Sequence, residues 1–356
     1  MAIPERIAKD EASHLISSLQ EIKGFYDLLF QLRGINGENF DESLIDRVMF
    51  NSETLPPMGK EYWWYLGFDL TGEKPRQLMI LIFRKHGKKM FFNDKEMTLK
   101  TYGENRFRAV TSGWVYDGEQ VLSLGDTNAV VELQPNRIVT QLSGQELVIS
   151  GEYPRYSISL GDLIDLNIER SASPQKKLAQ GVLVPPFGIG WVDTFGSVEG
   201  TVYGQEFRGE SHLQKVVGVN PFGPFHWLRL IFQDKSVATL FTLKTGKSSE
   251  TLFHRSLKFY DNQNHEDIFF VNPKIRISKE IDDGVTWVVE ASDHDKECTM
   301  ELESHAEVTQ VMKGGGSQVY VEYAVVPRKF SLQTRTRDIT LDDLGKGWGT
   351  FEDAYW

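Results

Sequence analysis

Cysteine is nearly absent from the 356 residues. Cys298 stands alone, which excludes an internal disulfide and fits a reducing compartment, so a cytoplasmic location is expected. Long apolar runs are lacking too. The longest, Leu78 to Phe83, has the length of a strand and falls far short of the roughly 18–20 residues that a membrane-spanning helix needs. Glu5, Asp10 and Glu11 occupy the region where a secretory leader would be basic and then apolar, so no leader is expected. Basic charge is in deficit: 39 Lys and Arg against 50 Asp and Glu give a formal charge of −11. That balance excludes a generic nucleic-acid binder and disfavours an anionic membrane surface. Peripheral access to membrane lipids stays open.

Several motifs fail on one residue each. Thr245-Gly246-Lys247-Ser248 resembles the end of a phosphate-binding loop, but Phe241 stands where its first glycine belongs. Gly188-Ile189-Gly190 lacks the third glycine of a dinucleotide site. Gly209-Glu210-Ser211-His212-Leu213 lacks the final glycine of a nucleophile elbow. The eight histidines never form a His-x-x-x-His pair, and one cysteine cannot build a thiolate zinc cage. No metal and no cofactor are expected. What the chain does have is aromatic rings: 8 Trp, 22 Phe and 12 Tyr, which suit strands and the walls of apolar pockets.

Helical periodicity is confined to the start. Ala8, Ala12, Leu15, Ile16, Leu19, Ile22, Tyr26 and Leu29 form one stripe, with Pro4 suited to the first turn and Gly34 to the stop, which predicts a helix near 5–33. A shorter helix after Asp41 would bury Leu44, Ile45 and Val48. Such helices serve as a partner contact or as a lid on the chain's own core, and the mixed polar face favours the lid. Beyond Pro56-Pro57 the period is two. Tyr62, Trp64, Leu66, Phe68 alternate with Trp63, Tyr65, Gly67, Asp69, and the same alternation recurs at 164–169, 225–232 and 319–325, separated by Asp-Gly and Gly-Gly turns. Many short strands without intervening helices predict an all-β protein of antiparallel barrels or sandwiches rather than a parallel α/β sheet. The Ser-, Pro- and Gly-rich stretch 171–197 divides it, giving an N-terminal helical element at 1–52, a first barrel at 53–185 and a second at 186–356. The strand at Trp64 rhymes with the strand at Trp227, a weak sign of duplication.

Unusual residues concentrate in 187–232. On a strand, Glu206, Arg208, Glu210 and His212 share one face. That face is either a solvated surface or the polar end of a lumen. Trp191, Tyr203, Phe222, Phe225 and Trp227 add the rings of a lined pocket, though barrel-core packing accounts for tryptophans equally well. His226 lies between two of these rings, as either a structural or a catalytic histidine. Arg229 shares a face with Trp227 and would need a carboxylate partner if buried.

Here the sequence resembles a known group. Glu61-Tyr62-Trp63-Trp64-Tyr65 resembles the Glu-Trp-Trp-Tyr signature of the AttH-like and carotenoid 1,2-hydratase families, whose relatives include fungal Diels–Alderases. The segment from Gly200 to Leu230 is similar to the start of their second barrel, and Gly345 to Glu352 resembles its ending. Tyr62 is an insertion in the signature, and Ser211 stands where hydratases carry an aspartate before the histidine. The resemblance implies two lipocalin-like antiparallel barrels over about 55–356. It also implies a cofactor-independent enzyme, a hydratase-type lyase or an isomerase or cyclase, acting on an apolar, isoprenoid-like small molecule. Protonating an alkene needs a carboxylic acid held neutral, rings to steady a cation and a base for water. Glu206 or Glu210 would be the acid, His212 or His226 the base, and Trp64, Trp191 and Trp227 the walls. A non-catalytic carrier of a lipophilic ligand is the alternative, and two barrels filled by their own side chains a third.

Overall fold

Alternation of apolar and polar residues puts one face of each strand in a core, and the sheets that result are two. The computed structural model describes residues 22–32, 42–69, 71–72, 74–103, 105–170, 179–184, 187–219, 224–244, 252–282, 284–313 and 317–355. Helix α1 covers 22–32 and α2 covers Ser43–Met49. The strands then follow as β1 (Gly59–Asp69), β2 (Arg76–Lys85), β3 (Lys89–Phe92), β4 (Lys95–Thr98) and β5 (Lys100–Gly103). Next come β6 (Arg106–Tyr116), β7 (Val121–Gln134), β8 (Arg137–Leu142), β9 (Gln145–Glu152) and β10 (Arg155–Leu160). β11 (Ile164–Arg170), β12 (Ala179–Val184), β13 (Phe187–Val202) and β14 (Gln205–Val219) complete the first sheet. It runs β11-β10-β9-β8-β7-β6-β2-β1-β14-β13, and β13 pairs back onto β11, so the barrel is closed.

The second sheet contains β15 (Phe225–Phe232), β16 (Val237–Lys244), β17 (Leu252–Asp261), β18 (Glu266–Phe269) and β19 (Lys274–Ile281). It continues with β20 (Val285–Ser292), β21 (Glu297–Lys313), β22 (Ser317–Gln333), β23 (Asp338–Thr340), helix α3 (Leu341–Leu344) and β24 (Gly347–Tyr355). Its order is β18-β17-β16-β15-β24-β22-β21-β20-β19, curled around a core that includes Leu228, Leu240, Met300, Tyr323 and Phe351. The fold is thus all-β and double, as expected. Strands 187–219, however, do not belong to the second barrel. β14 pairs with β1 along its length and β13 with β14 and β11, so the chain passes from one sheet to the other between Val219 and Phe225. Alternation tells which face of a strand is buried but not which neighbour it takes.

The two helices are a lid on the chain's own core. Phe25, Leu29, Leu32, Leu44, Val48 and Met49 join the interior of the first barrel. A Cβ on Gly190 would stand 2.6 Å from Leu32 Cδ1, so glycine is what lets α1 close onto β13. The expected helix at 5–33 is seen at 22–32, its earlier part lying outside the described residues.

A third cluster joins the barrels. It unites Trp64, Leu66, Leu81, Phe83 and Trp114 from the outer face of the first with Ile231, Val237, Tyr260, Ala306 and Ala324 from the second. The β3–β4 hairpin reaches across as a clasp, β3 pairing with β21 at Met312 and Lys313. Asn93 at its tip donates its backbone N–H to Val311 O at 2.9 Å and accepts the Val311 N–H at 2.8 Å.

Candidate functional site between the barrels

Strand parity builds the site. In β1 the odd positions Trp63 and Tyr65 enter the first barrel, while Trp64 and Leu66 face outward. In β14 Phe207, Leu213 and Val217 point in, which sends Glu210, His212 and Gln214 out. In β15 Leu228 and Leu230 enter the second barrel, so Phe225, Trp227 and Arg229 face out toward the first. The two outward faces meet ring on ring. Trp64 and Trp227 cross edge to face at 5.1 Å between centroids. His212 stacks on Phe195 at 4.4 Å and on Trp227 at 5.8 Å. The Arg229 guanidinium lies 3.6 Å from the centre of the Phe195 ring.

His212 is buried, and its Nε2 is 3.0 Å from Asp193 Oδ1, which also accepts from Gln214 Nε2 at 2.6 Å. Burial lowers the His212 pKa more than Asp193 raises it, so the imidazole is neutral at pH 7. With Nε2–H donated to Asp193, Nδ1 carries the free lone pair, and it has no partner. Burial also lowers Arg229, against Asp193 and Glu210, the carboxylates a buried arginine requires. Glu210 is half-buried, and desolvation raises its pKa against Lys235 and Arg229.

Beside Trp227 is a carboxyl pair. Glu352 is the cross-strand neighbour of Trp227, and Glu322 that of Glu352. Both are buried, and Thr350 Oγ1 donates to Glu322 Oε1 at 3.4 Å. Burial raises Glu322, opposed by Trp114 and Thr350. Burial and the charge of Glu322 raise Glu352, opposed by Tyr320. Such a pair holds a proton at neutral pH because two adjacent buried carboxyls cannot both ionise. Tyr62, Tyr320 and Trp227 keep accessible surface although Tyr62 and Tyr320 are strongly desolvated. Tyr62 and Trp227 pack against the cluster that joins the barrels.

Of the residues expected from sequence, Trp64, Glu210, His212 and Trp227 come together here, with Trp191 half-buried on the same outward face of β13 as Asp193. The others do not. Glu206 is exposed, and its backbone oxygen accepts from Arg76 at 2.7 Å. Tyr203 occupies the β13–β14 turn at φ 52° and is 38% exposed. His226 points into the second barrel, with Nδ1 3.3 Å from Thr242 Oγ1 and Nε2 3.2 Å from Lys244 Nζ and 3.3 Å from Asp353. Phe225 packs near Phe241 and Tyr320. Phe222 lies outside the described residues. The face shared by Glu206, Glu210 and His212 was expected either on a solvated surface or at the polar end of a lumen; the interior of the first barrel, to which β14 belongs, is packed with apolar side chains. Glu61 of the signature also points there, to Arg84 and Lys215. Missed altogether were Asp193, Trp114, Tyr320, Glu322 and Glu352. The signal for them was present: in β1 and β2 residues on both faces are apolar, as in strands covered on both sides.

Among the described residues no group of three His, Cys, Asp or Glu is placed to hold a metal ion, and no helix is long and apolar enough to cross a membrane. No family model and no curated protein matches the sequence. A solved structure assigned as an AttH from Nitrosomonas europaea is similar over 83% of this chain and 92% of that one, with 13% identity and a TM-score of 0.45. CghA is similar over 85% of this chain and 90% of its own, both alone (10% identity) and with Sch210972 (11%), each at a TM-score of 0.50. What is shared with CghA at such identity is architecture, the all-β fold of two joined sheets described above.

Proposed function

We propose that the chain is an enzyme that binds an apolar, isoprenoid-like small molecule in the crevice between its barrels and protonates a C=C bond there. The observation that carries this reading is the buried cross-strand carboxyl pair Glu322–Glu352 beside Trp227, with His212 stacked on Trp227. The alkene π electrons take the proton of the Glu352 carboxyl, leaving a carboxylate and a tertiary carbocation. Trp227, Trp64 and Trp114 steady that cation through their faces. Three endings keep the balance. Water adds and yields its proton to His212 Nδ1, a hydration. A second alkene of the substrate attacks, and the ring cation that results loses a C–H proton to His212 Nδ1, a cyclisation. A neighbouring C–H proton is lost to His212, an isomerisation. Asp193 holds His212 in the tautomer that leaves Nδ1 bare. The CghA structures support a fold able to house small-molecule chemistry, and that fold is compatible with a carrier as well.

Mass spectrometry of organic extracts separates the two. Extracts of cells making the wild type, Glu352→Gln or Trp227→Leu are compared, together with extracts of the purified proteins. Glu352→Gln should lower product by about 100-fold or more while still co-purifying with the substrate, since a positioned acid contributes on the order of 10²–10⁴. Trp227→Leu should lose the co-purified molecule. Identical products from wild type and Glu352→Gln would leave a carrier.

A further inference from the structure

A sheet that does not close ends on strands with unpaired N–H and C=O groups, and the second sheet ends on β18 and β19. β18 has only four residues, and its Glu266 is engaged by Arg337. β19 has eight, and among the described residues it pairs with β20 alone. Ile275 and Ile277 turn toward the core of the second barrel, and Lys279 on the same face donates to Tyr323 OH at 2.7 Å. Ile281 has that parity too, yet it is 70% exposed. Lys274, Arg276, Ser278 and Glu280 occupy the outer face.

Lysines on an edge normally keep copies of a protein apart. The charges of β19 are instead self-complementary. Lys274 and Arg276 stand four and two residues before Ser278, and Glu280 and Asp282 stand two and four after it. Among the described residues no ion pair engages Lys274, Glu280 or Asp282, and Arg276, its side chain 82% exposed, reaches Glu290 only at 3.9 Å.

We propose that two copies of the chain join edge to edge through β19, antiparallel about a two-fold axis at Ser278. An axis perpendicular to the sheet keeps both core faces on one side, so residues of equal parity oppose each other. Arg276 then meets Glu280 of the second copy, Lys274 meets Asp282, and Ile275 covers the exposed Ile281. The symmetry repeats each contact. The neighbouring axes fit worse. One at Ile277 leaves a single type of charge pair, Lys274 with Glu280, and sets Ile281 against Pro273, which has no N–H to give. One at Lys279 sets that lysine against itself.

Sedimentation velocity of the full chain from about 1 to 200 µM should show monomer passing into dimer, less so as salt is added. Arg276→Glu and Glu280→Arg each place like charges opposite one another twice, and each should weaken the dimer about tenfold or more. An equimolar mixture of the two variants should regain an affinity within about threefold of the wild type, since every Glu then meets an Arg. Mixing would not cure a folding defect. Ser278→Cys should cross-link to itself under diamide, and Lys274→Cys, far from its own copy in this register, should not; Cys298 is buried in both. A wild type monomeric throughout that range would overturn the inference. So would a dimer that survives both charge reversals, variants that mixing does not rescue, or cross-linking at Lys274→Cys in place of Ser278→Cys.

Discussion

Two histidines close in sequence lead different lives because their strands present opposite parities. His226 enters a barrel and is held by Thr242, Lys244 and Asp353, whereas His212 faces the other barrel with one nitrogen unclaimed. The sequence showed the alternation around both residues but not which face of each strand meets the crevice. Buried charge divides in the same way. In the first barrel, burial would push Glu61 up, but Arg84 and Lys215 hold it below the usual carboxylate range. Its stabilisation is present above the unfolded pKa and is lost as pH falls through the folded value. Arg84→Met strips the main partner from a buried carboxylate and should cost about 3–5 kcal/mol in urea unfolding. A loss below about 1 kcal/mol would show that Lys215 alone suffices. Glu322 and Glu352 carry the opposite sign. Their folded pKa values are raised, so the native state binds protons that the unfolded chain has released, and stability falls as pH rises from about 4.5. Glu352→Gln should therefore raise the melting temperature near pH 8 and leave it unchanged near pH 5. Equal effects at both would mean the pair is not protonated in the native state.

At the scale of elements, the strands were legible and their partners were not. Period-two alternation located β1, β11, β15 and β22, and apolar spacing located α2, whose Leu44, Ile45 and Val48 are buried as expected. The hairpin β13–β14 was misplaced because the glycine- and proline-rich stretch before it looked like a boundary, yet its long antiparallel register continues the first sheet. The clasp β3–β4 was not legible at all. Its contact with β21 joins residues more than 200 positions apart, and no local pattern encodes such a pairing. Asn93 holds it: besides its exchange with Val311, its Nδ2 donates to Asp126 at 3.0 Å, and its φ of 47° lies where asparagine is tolerated better than most residues. Asn93→Ala should lose about 2 kcal/mol, from side-chain hydrogen bonds of roughly 1 kcal/mol each and a less tolerant backbone. Hydrogen exchange at the Val311 amide should speed up with it. Unchanged protection there would mean the clasp is held by its buried Met90 and Phe92 alone.

For the whole molecule, the rhyme between the strands of Trp64 and Trp227 takes on spatial meaning. β1 and β15 turn their outward tryptophans onto each other, so the proposed site exists only where the two barrels meet. Each barrel has an apolar outer face besides its own interior, and the cluster between them includes Trp64, Phe83, Phe92, Trp114, Ile231 and Tyr260. Separated, either half would place that face in water, at about 25 cal/mol per Å² of apolar surface. Barrels coupled through a desolvated interface and a crossing hairpin should unfold together. Scanning calorimetry of the full chain should show one transition whose calorimetric and van't Hoff enthalpies agree. Residues 224–356 made alone should bind a hydrophobic dye that the full chain excludes. Two separate transitions would mean the barrels are joined only by the chain. The crevice would then be a loose contact, too wet to keep a proton on Glu322 and Glu352.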